Sequence, residues 1–435
     1  MGVKFGTDGV RGIANSDLTA SFALDLGRSA ARILGGTEAI VGGDTRVSTA
    51  MLEAAFVAGL ASEGVVVHRL GVVPTPVVAF EAARRGCLGA VISASHNPYR
   101  DNGIKLFDRG GTKLPDALEE RIEADVVNLP MPTMEPAQLV DVEDSPAYRD
   151  HLLELLEGRR LDGMRIVVDA ANGAASGLAR RVLASTGADV IAIHDQPDGR
   201  NINEGCGATD TTSLAVAVRD HGCDLGLALD GDADRLMAVD ASGALVDGDH
   251  IIAICALDLL ARGMLREHTV VVTVMTNLGF RLAMETAGIK VLVTPVGDRY
   301  VLEALDAGGF SLGGEQSGHV IFRDHETTGD GLFTGIVLAD AVKRSGVPLA
   351  ELAAAAMIRL PQVLVNVPID VPVPDAADRV AETIASVEAE LGDHGRVLVR
   401  PSGTEPLVRV MVEAPTEASA QAAADRLAEA VRAAG

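Results

Sequence analysis

The sequence predicts an α/β protein whose C-terminal end is a separate, smaller α+β domain. Two observations carry that reading. Short β-branched runs alternate with Ala- and Leu-rich stretches through roughly the first 350 residues, the pattern of βαβ units and largely parallel sheets. After Pro361 the order changes to strand, helix, strand, loop, strand, helix. Length sets the scale, because 435 residues at ~150 per domain give two to four domains.

In chain order, the expected strands are EAIVGGD (38–44), GVVVHRLG (64–71), RIVVDA (165–170), DLGLALD (224–230), HTVVVTV (268–274) and VLVTPV (291–296), with helices over 18–34 and 212–220 among those between them. The segment NLPMPTMEPAQ (128–138) holds three prolines in eleven residues and reads as a linker, as does the ground from Leu360 to Pro374. A fainter break lies at 243–249. These breaks divide the chain into blocks 1–138, 139–243, 244–358 and 359–435. In the last block Thr416 is placed to cap a final helix whose Leu427 and Val431 share a face at i and i+4. No tandem repeat is visible, although three successive blocks of similar size can share a fold without showing it.

Composition narrows the function. Lys and Arg total 37 against 61 Asp and Glu, a formal net charge of −24. With no basic run of five and no Trp, nucleic acid is not an expected partner, and an anionic substrate requires a locally positive site. Cys87, Cys206, Cys223 and Cys255 lie far apart with no CxxC pair, which fits a reducing cytoplasm better than a disulfide framework. The apolar stretches, such as 269–280, fall short of the ~18 residues that span a bilayer, so no membrane partner is expected. The start, MGVKFGTDGVRG, has no apolar signal core and Gly6 where a myristoylation signal wants Ser or Thr, and it reads as mature.

Four loops carry chemistry. In VISASHNPYRDNGIKLF (91–107) an apolar strand ends and Ser95 follows on what reads as an exposed loop beside His96. Such a hydroxyl suits a nucleophile or a phosphoryl carrier; the same residues also suit a βα turn whose Ser and Asn satisfy backbone groups. Lys105, one of five lysines, lies in an apolar GIKLF run, where burial is expected to lower its pKa toward proton-transfer chemistry. In DLGLALDGDADR, Asp230, Asp232 and Asp234 alternate behind an apolar strand, so three carboxylates converge where a hard divalent cation such as Mg²⁺ would hold them together. An EF-hand is excluded because Arg235 stands at the loop's glycine position and Ala241 at its final glutamate position. GGEQSGH (313–319) presents Glu315, Ser317 and His319 to a polyol or to solvent. Finally, VLVRPSGTEPLVRVMV (397–412) gathers Arg400, Ser402, Gly403, Thr404 and Arg409 into an anion nest. No Walker loop, dinucleotide fingerprint or nucleophile elbow is present.

SASHNP, DGDADR, GGEQSGH and RPSGTEP, in that order and at these separations, resemble the α-D-phosphohexomutase superfamily, and the match runs from the opening GTDGVRG to the terminal domain. GTDGVRG, ISASHNP, NINEGCGATD (201–210), VGDRYV (296–301) and GGEQSGH are most similar to the branch acting on glucosamine phosphates. Relatives acting on mannose or glucose phosphates tend to carry GEMSGH or GEESGH, so Gln316 marks the branch. The resemblance implies a heart-shaped, four-domain protein in which three related mixed α/β domains and a smaller fourth surround a central cleft, the four blocks carrying the phosphoserine, metal, sugar and phosphate loops in turn. Ser95 would be the phosphorylated serine; Asp230, Asp232 and Asp234 would hold one Mg²⁺ per subunit, with a phosphoserine oxygen as a further ligand. Arg11 and Lys105 would lie at the phosphoryl group in transit, with Lys105 first and His319 second as the group that moves the hydroxyl proton. Glu315 and Ser317 would bind sugar hydroxyls, and Arg400, Ser402, Gly403, Thr404 and Arg409 would hold the phosphate that is not reacting. Ala233 stands where relatives often have Gly and is expected to leave the carboxylates in place.

The implied reaction interconverts glucosamine 6-phosphate and glucosamine 1-phosphate through a 1,6-bisphosphate, with glucosamine or glucose 1,6-bisphosphate as activator, and supplies UDP-N-acetylglucosamine for cell-wall synthesis. A homodimer and hinge motion near Leu360 are expectations of the same kind. Three readings compete: a mutase of mannose or glucose phosphates; a phosphatase of the haloacid dehalogenase type, whose D-x-D matches Asp230 and Asp232 but whose Thr or Val is replaced by Asp234; and a silent phosphosugar-binding protein.

Overall fold

The β-branched runs form strands whose ends fall within two residues of those expected: Glu38–Gly43, Val66–Val72, Arg165–Asp169, Leu225–Leu229, Thr269–Thr273 and Lys290–Thr294. In this computed structural model, which describes residues 4–6, 8–142, 145–369, 375–401 and 407–434, the first helix spans Ala20–Leu34 rather than starting at 18. The reason is local, because Thr19 Oγ1 accepts from the Phe22 N–H at 3.2 Å and so acts as the N-cap. Thr416 does the same for the last helix, Glu417–Ala434, accepting from Ser419 N at 3.2 Å.

The described residues form four sheets. The first orders Phe5–Gly6, Gly9–Ile13, Asp101–Phe107, Leu88–Ile92, Glu38–Gly43, Val66–Val72 and Leu139–Asp141, parallel among the last four and antiparallel at the start. The second orders Leu245–Val246, Leu236–Asp240, Leu225–Leu229, Arg165–Asp169 and Asp189–Ile193, with the last three parallel. The third orders Lys290–Thr294, Thr269–Thr273, Leu312–Gly314 and Val320–Phe322, again parallel except for the final strand. The fourth, Gln362–Pro368, Leu407–Glu413 and Arg396–Pro401, is antiparallel throughout.

This pairing corrects one expectation. The Ser95 loop is not a βα turn. It joins Leu88–Ile92 to the antiparallel neighbour Asp101–Phe107, and the Asp loop and the GGEQSGH loop likewise join Leu225–Leu229 to Leu236–Asp240 and Leu312–Gly314 to Val320–Phe322. Each of the three mixed sheets therefore sends its chemistry loop from the carboxyl end of a strand back along the same sheet, which fixes both ends of the loop by ladder hydrogen bonds.

Packing follows the helix period. Leu52, Phe56 and Leu60 on Thr49–Ser62 face Ala23, Leu26 and Ala30 on Ala20–Leu34, all fully buried. Burial of each large side chain contributes roughly 1.5–3 kcal/mol. The four cysteines are buried free thiols, and no helix among the described residues is long and apolar enough to cross a membrane.

The chain divides into two compact units, Met1–Val274 with Lys290–Ala354, and Met275–Ile289 with Ala355–Gly435. The second unit thus includes the helix Leu278–Thr286, which lies in sequence between two strands of the third sheet. Within that unit Asn277 exchanges two 3.0 Å hydrogen bonds with the Leu360 backbone, and the fully buried Glu413 accepts from Leu278 N at 2.8 Å while pairing with Arg396 at 2.9 Å. Removing one member of a buried pair strands the other charge. Glu413→Ala is therefore expected to destabilise the C-terminal unit by about 3–5 kcal/mol, read as a lowered urea midpoint; an unchanged midpoint would show that the carboxylate does not tie the helix to the sheet.

Candidate active site

Ser95 sits at the first bend after its strand with φ 51°, a left-handed conformation that a residue with a Cβ adopts only when its surroundings hold it there. Contrary to the expectation of an exposed loop, it is 1% exposed. The Arg46 guanidinium, itself buried, donates to the carbonyls of Ser95 and Asn97 at 2.8 Å each and to Pro98, and is held by Asp44 at 2.7 Å. These bonds satisfy the loop's carbonyls inside the protein and turn the serine inward. Its Oγ donates to Asp230 Oδ2 at 2.5 Å and lies 3.2 Å from His96 Nδ1. Burial, then the charges of Arg235 and Arg11, push His96 down to about 4, so its ring is neutral at pH 7.

The three aspartates converge as the period-two spacing predicted. All are buried, and an oxygen from each lies within 4.8 Å of one from the others. Burial and the repulsion of Asp234 and Asp232 hold Asp230 well above the usual carboxylate range, whereas Lys105 and His319 outweigh burial and hold Asp234 well below it. Thr75 secures Asp232 by side chain, 2.6 Å, and backbone, 2.9 Å. Asp232 Oδ1 and Asp234 Oδ1 are buried with no hydrogen-bond partner. Two orphaned carboxylate oxygens and a third acid with a raised pKa, all hard donors, fit a divalent cation of the Mg²⁺ kind.

Around the triad runs a chain of alternating charges. Lys105 Nζ contacts Asp232 at 2.7 Å, Asp8 at 2.9 Å and Asp234 at 3.2 Å. Asp8 also pairs with Arg11 and Lys113, Lys113 reaches Asp298, and His319 lies 3.4 Å from Asp298 and 3.6 Å from Asp234. The expectation for Lys105 is corrected here. Burial does act to lower its pKa, but Asp232, Asp234 and Asp8 more than offset it, and the pKa is held well above lysine's ordinary value. Lys105 is a fixed cation. His319 is likewise raised, with Asp298 and Asp234 overcoming burial.

Arg11, Arg235, Asp298, His319 and Glu315 line one side or another of a cleft of about 400 Å³. Glu315 is positioned by accepting from Gly297 N at 3.0 Å, and Ser317 Oγ donates to it at 3.5 Å. Their loop rests on the second sheet through Leu236 N to Gly318 O, 2.9 Å. Gly318 has φ 90°, and a Cβ there would meet Leu236 O at 2.2 Å, so only glycine fits. In the second unit Arg400 and Arg409 stand directly opposite one another across the Arg396–Pro401 and Leu407–Glu413 strands. Like charges in register disfavour each other unless an anion joins them, and burial followed by Arg409 lowers the Arg400 pKa. Ser402, Gly403 and Thr404 lie outside the described residues.

The phosphoglucomutase/phosphomannomutase models match in four parts: the α/β/α domains I, II and III over residues 2–130, 146–243 and 247–360, and the C-terminal domain over 364–430. A protein of Frankia alni named phosphoglucosamine mutase is 56% identical over 99% of this chain and 98% of its own. The chain belongs to the phosphoglucosamine mutase family of the phosphohexomutases. The fold agrees, with a TM-score of 0.83 to a phosphoglucomutase/phosphomannomutase family protein from Burkholderia thailandensis, 25% identical and covering 100% of this chain and 98% of that one. An Aspergillus fumigatus N-acetylphosphoglucosamine mutase, solved in complex with GlcNAc-6P and magnesium, gives 0.73 at 20% identity over 100% of this chain and 96% of that one.

As a phosphohexomutase the chain is an isomerase that moves a phosphoryl group, with the mixed four-domain α/β architecture of the family. Sequence reading missed several residues at the site: Asp8, Lys113 and Asp298, which complete the charge chain, and Thr75, Arg46 and Asn203, which hold its loops. Asp8 and Asp298 lie inside GTDGVRG and VGDRYV, motifs already noticeable; Thr75 and Arg46 carry no local signal. Ala233 is fully buried with φ 58°. Relief of left-handed strain, ~1–2 kcal/mol, exceeds the added backbone entropy of glycine, ~0.4–1 kcal/mol. Ala233→Gly is therefore expected to raise stability by about 0.5–1 kcal/mol, seen as a higher urea midpoint at constant slope; a lower midpoint would mean that the lost methyl packing outweighs the strain.

Proposed function

We propose that this protein interconverts glucosamine 6-phosphate and glucosamine 1-phosphate, with Ser95 as the phosphoryl carrier. The observation that carries the reading is a buried serine hydroxyl hydrogen-bonded at 2.5 Å to the first of three converging carboxylates, in a chain of this family. Asp230, Asp232 and Asp234, together with a phosphoserine oxygen, would hold Mg²⁺. When bound, that ion would supply Lewis-acid stabilisation of negative charge on the phosphoryl oxygens.

The chain's own residues account for the rest. Phosphoserine 95 donates to the free hydroxyl of the sugar: the Ser95 O–P bond breaks, a sugar O–P bond forms, and the hydroxyl proton leaves to a base. The resulting glucosamine 1,6-bisphosphate turns round, and its other phosphate is returned to Ser95 by the reverse chemistry. Arg11, which lines the cleft, and Lys105, buried against the Asp triad, stabilise the phosphoryl group in transit. Lys105 and His319, both held toward their protonated forms by carboxylate partners, are the two candidates for the group that moves the hydroxyl proton. Glu315 and Ser317 bind sugar hydroxyls, while Arg400 and Arg409, with Ser402, Gly403 and Thr404, grip the idle phosphate. The domain blocks 1–138, 139–243, 244–358 and 359–435 then each carry one of these loops. Glucosamine or glucose 1,6-bisphosphate restores an enzyme that has lost its phosphate, one Mg²⁺ serves each subunit, and the protein acts in the cytoplasm, as a homodimer, to supply UDP-N-acetylglucosamine.

The test offers glucosamine, glucose and mannose 6-phosphates at equal concentration with Mg²⁺ and a trace of glucose 1,6-bisphosphate, and compares kcat/KM. Glucosamine 6-phosphate is expected to be preferred, Ser95→Ala to be inactive, and chelation to stop turnover reversibly. A preference for mannose or glucose phosphate would move the substrate assignment within the superfamily; full activity of Ser95→Ala would remove the phosphoserine mechanism.

A further inference from the structure

The segment NINEGCG (201–207) belongs to the block that carries the metal loop, and the mechanism above leaves it without a task. Its Asn203 reaches the other loop. Asn203 Nδ2 donates to the carbonyls of Ser95 at 2.9 Å and Asn97 at 3.2 Å, from a backbone held at φ 58°. The two carbonyls are those that Arg46 grasps from the first sheet's side at 2.8 Å. Gly231, between the first two metal-loop aspartates, closes the same space: a Cβ there would meet Ser95 O at 2.5 Å and Asn203 Nδ2 at 2.7 Å. Two more hydrogen bonds run alongside, Thr45 Oγ1 to Asn172 O at 2.6 Å and Val47 N to Gly199 O at 2.8 Å.

We propose that Asn203 is a positioning residue for phosphoryl transfer, clamping the Ser95 carbonyl so that the left-handed serine presents its Oγ to the Asp triad. The inference rests on Ser95 being the phosphoryl carrier. Asn203 Nδ2 donates to backbone carbonyls and to neither the reacting oxygen nor a carboxylate of the triad; it acts through the backbone. A carbonyl held from one side only, by Arg46, fixes the orientation of the serine less closely, and a displacement near 1 Å at a reacting atom lowers the rate by up to roughly 100-fold.

The test uses Asn203→Gly, because glycine adopts φ 58° without strain and keeps the loop's conformation while deleting the donor, and the isosteric Asn203→Asp, which turns the donor into an acceptor facing two carbonyls. Three quantities are measured on the full-length enzyme: kcat and KM for glucosamine 6-phosphate, the rate at which intact mass records phosphate uptake from glucose 1,6-bisphosphate, and the melting temperature. The expected result is kcat and phosphate uptake lowered by roughly 10- to 100-fold in Asn203→Gly, and further in Asn203→Asp, with KM within about twofold of wild type and melting of Asn203→Gly little changed. Undiminished kcat in Asn203→Gly, or a rise in KM that accounts for the whole loss, overturns the proposal while leaving Ser95 as carrier. A wild-type enzyme that turns over without ever holding phosphate on Ser95 overturns the carrier assignment and the proposal with it.

Discussion

Three carboxylates forced together inside a protein are the constraint on which the rest of this structure depends. Asp230, Asp232 and Asp234 are all buried within one short loop, and such a cluster persists only if positive charge or a bound proton offsets the repulsion. The chain supplies that charge from several places: Lys105 on the adjoining sheet's antiparallel strand, Arg235 at the end of the same loop, and His319 from the third sheet's loop. A molecule with a net charge of −24 thereby brings Lys4, Arg11 and Arg235 to the lining of the cleft, where they stand among Asp8, Asp234, Asp298 and Glu315. The second row of acids, Asp8 and Asp298, sets the cations in place and keeps them charged.

Topology makes this meeting of charges reproducible. Each of the three mixed sheets ends a strand, runs a loop and returns antiparallel beside it, so the serine, the aspartates and the Glu-Ser-His group each ride on a loop anchored by ladder bonds at both ends. The loops then bind one another: Ser95 to Asp230, Thr75 to Asp232, Leu236 to Gly318. Contacts between the loops thus add to those within each, such as Ser95 to His96 and Ser317 to Glu315.

The C-terminal unit follows a different logic. Its sheet is antiparallel and carries Arg400 and Arg409 in register on neighbouring strands. Its tie to Leu278–Thr286, through Asn277 and Glu413, shows that sequence blocks and packing units need not coincide.

Much of this was legible in the sequence. Element type followed from periodicity, because burial imposes a period of two on strands and 3.6 on helices wherever they occur. Convergence of the aspartates followed from their spacing, which is a local property of an extended segment. What tertiary structure alone decided was environment. Ser95 reads as exposed because small polar residues usually are; it is buried because Arg46 and Asn203, 49 and 108 positions away, take its carbonyl. Lys105 reads as a depressed lysine because it lies in an apolar run, yet carboxylates up to 129 positions away hold it charged. Electrostatic and hydrogen-bond partners act through space and not along the chain, so which residue meets which, and in which protonation state, is decided only when the sheets are folded together.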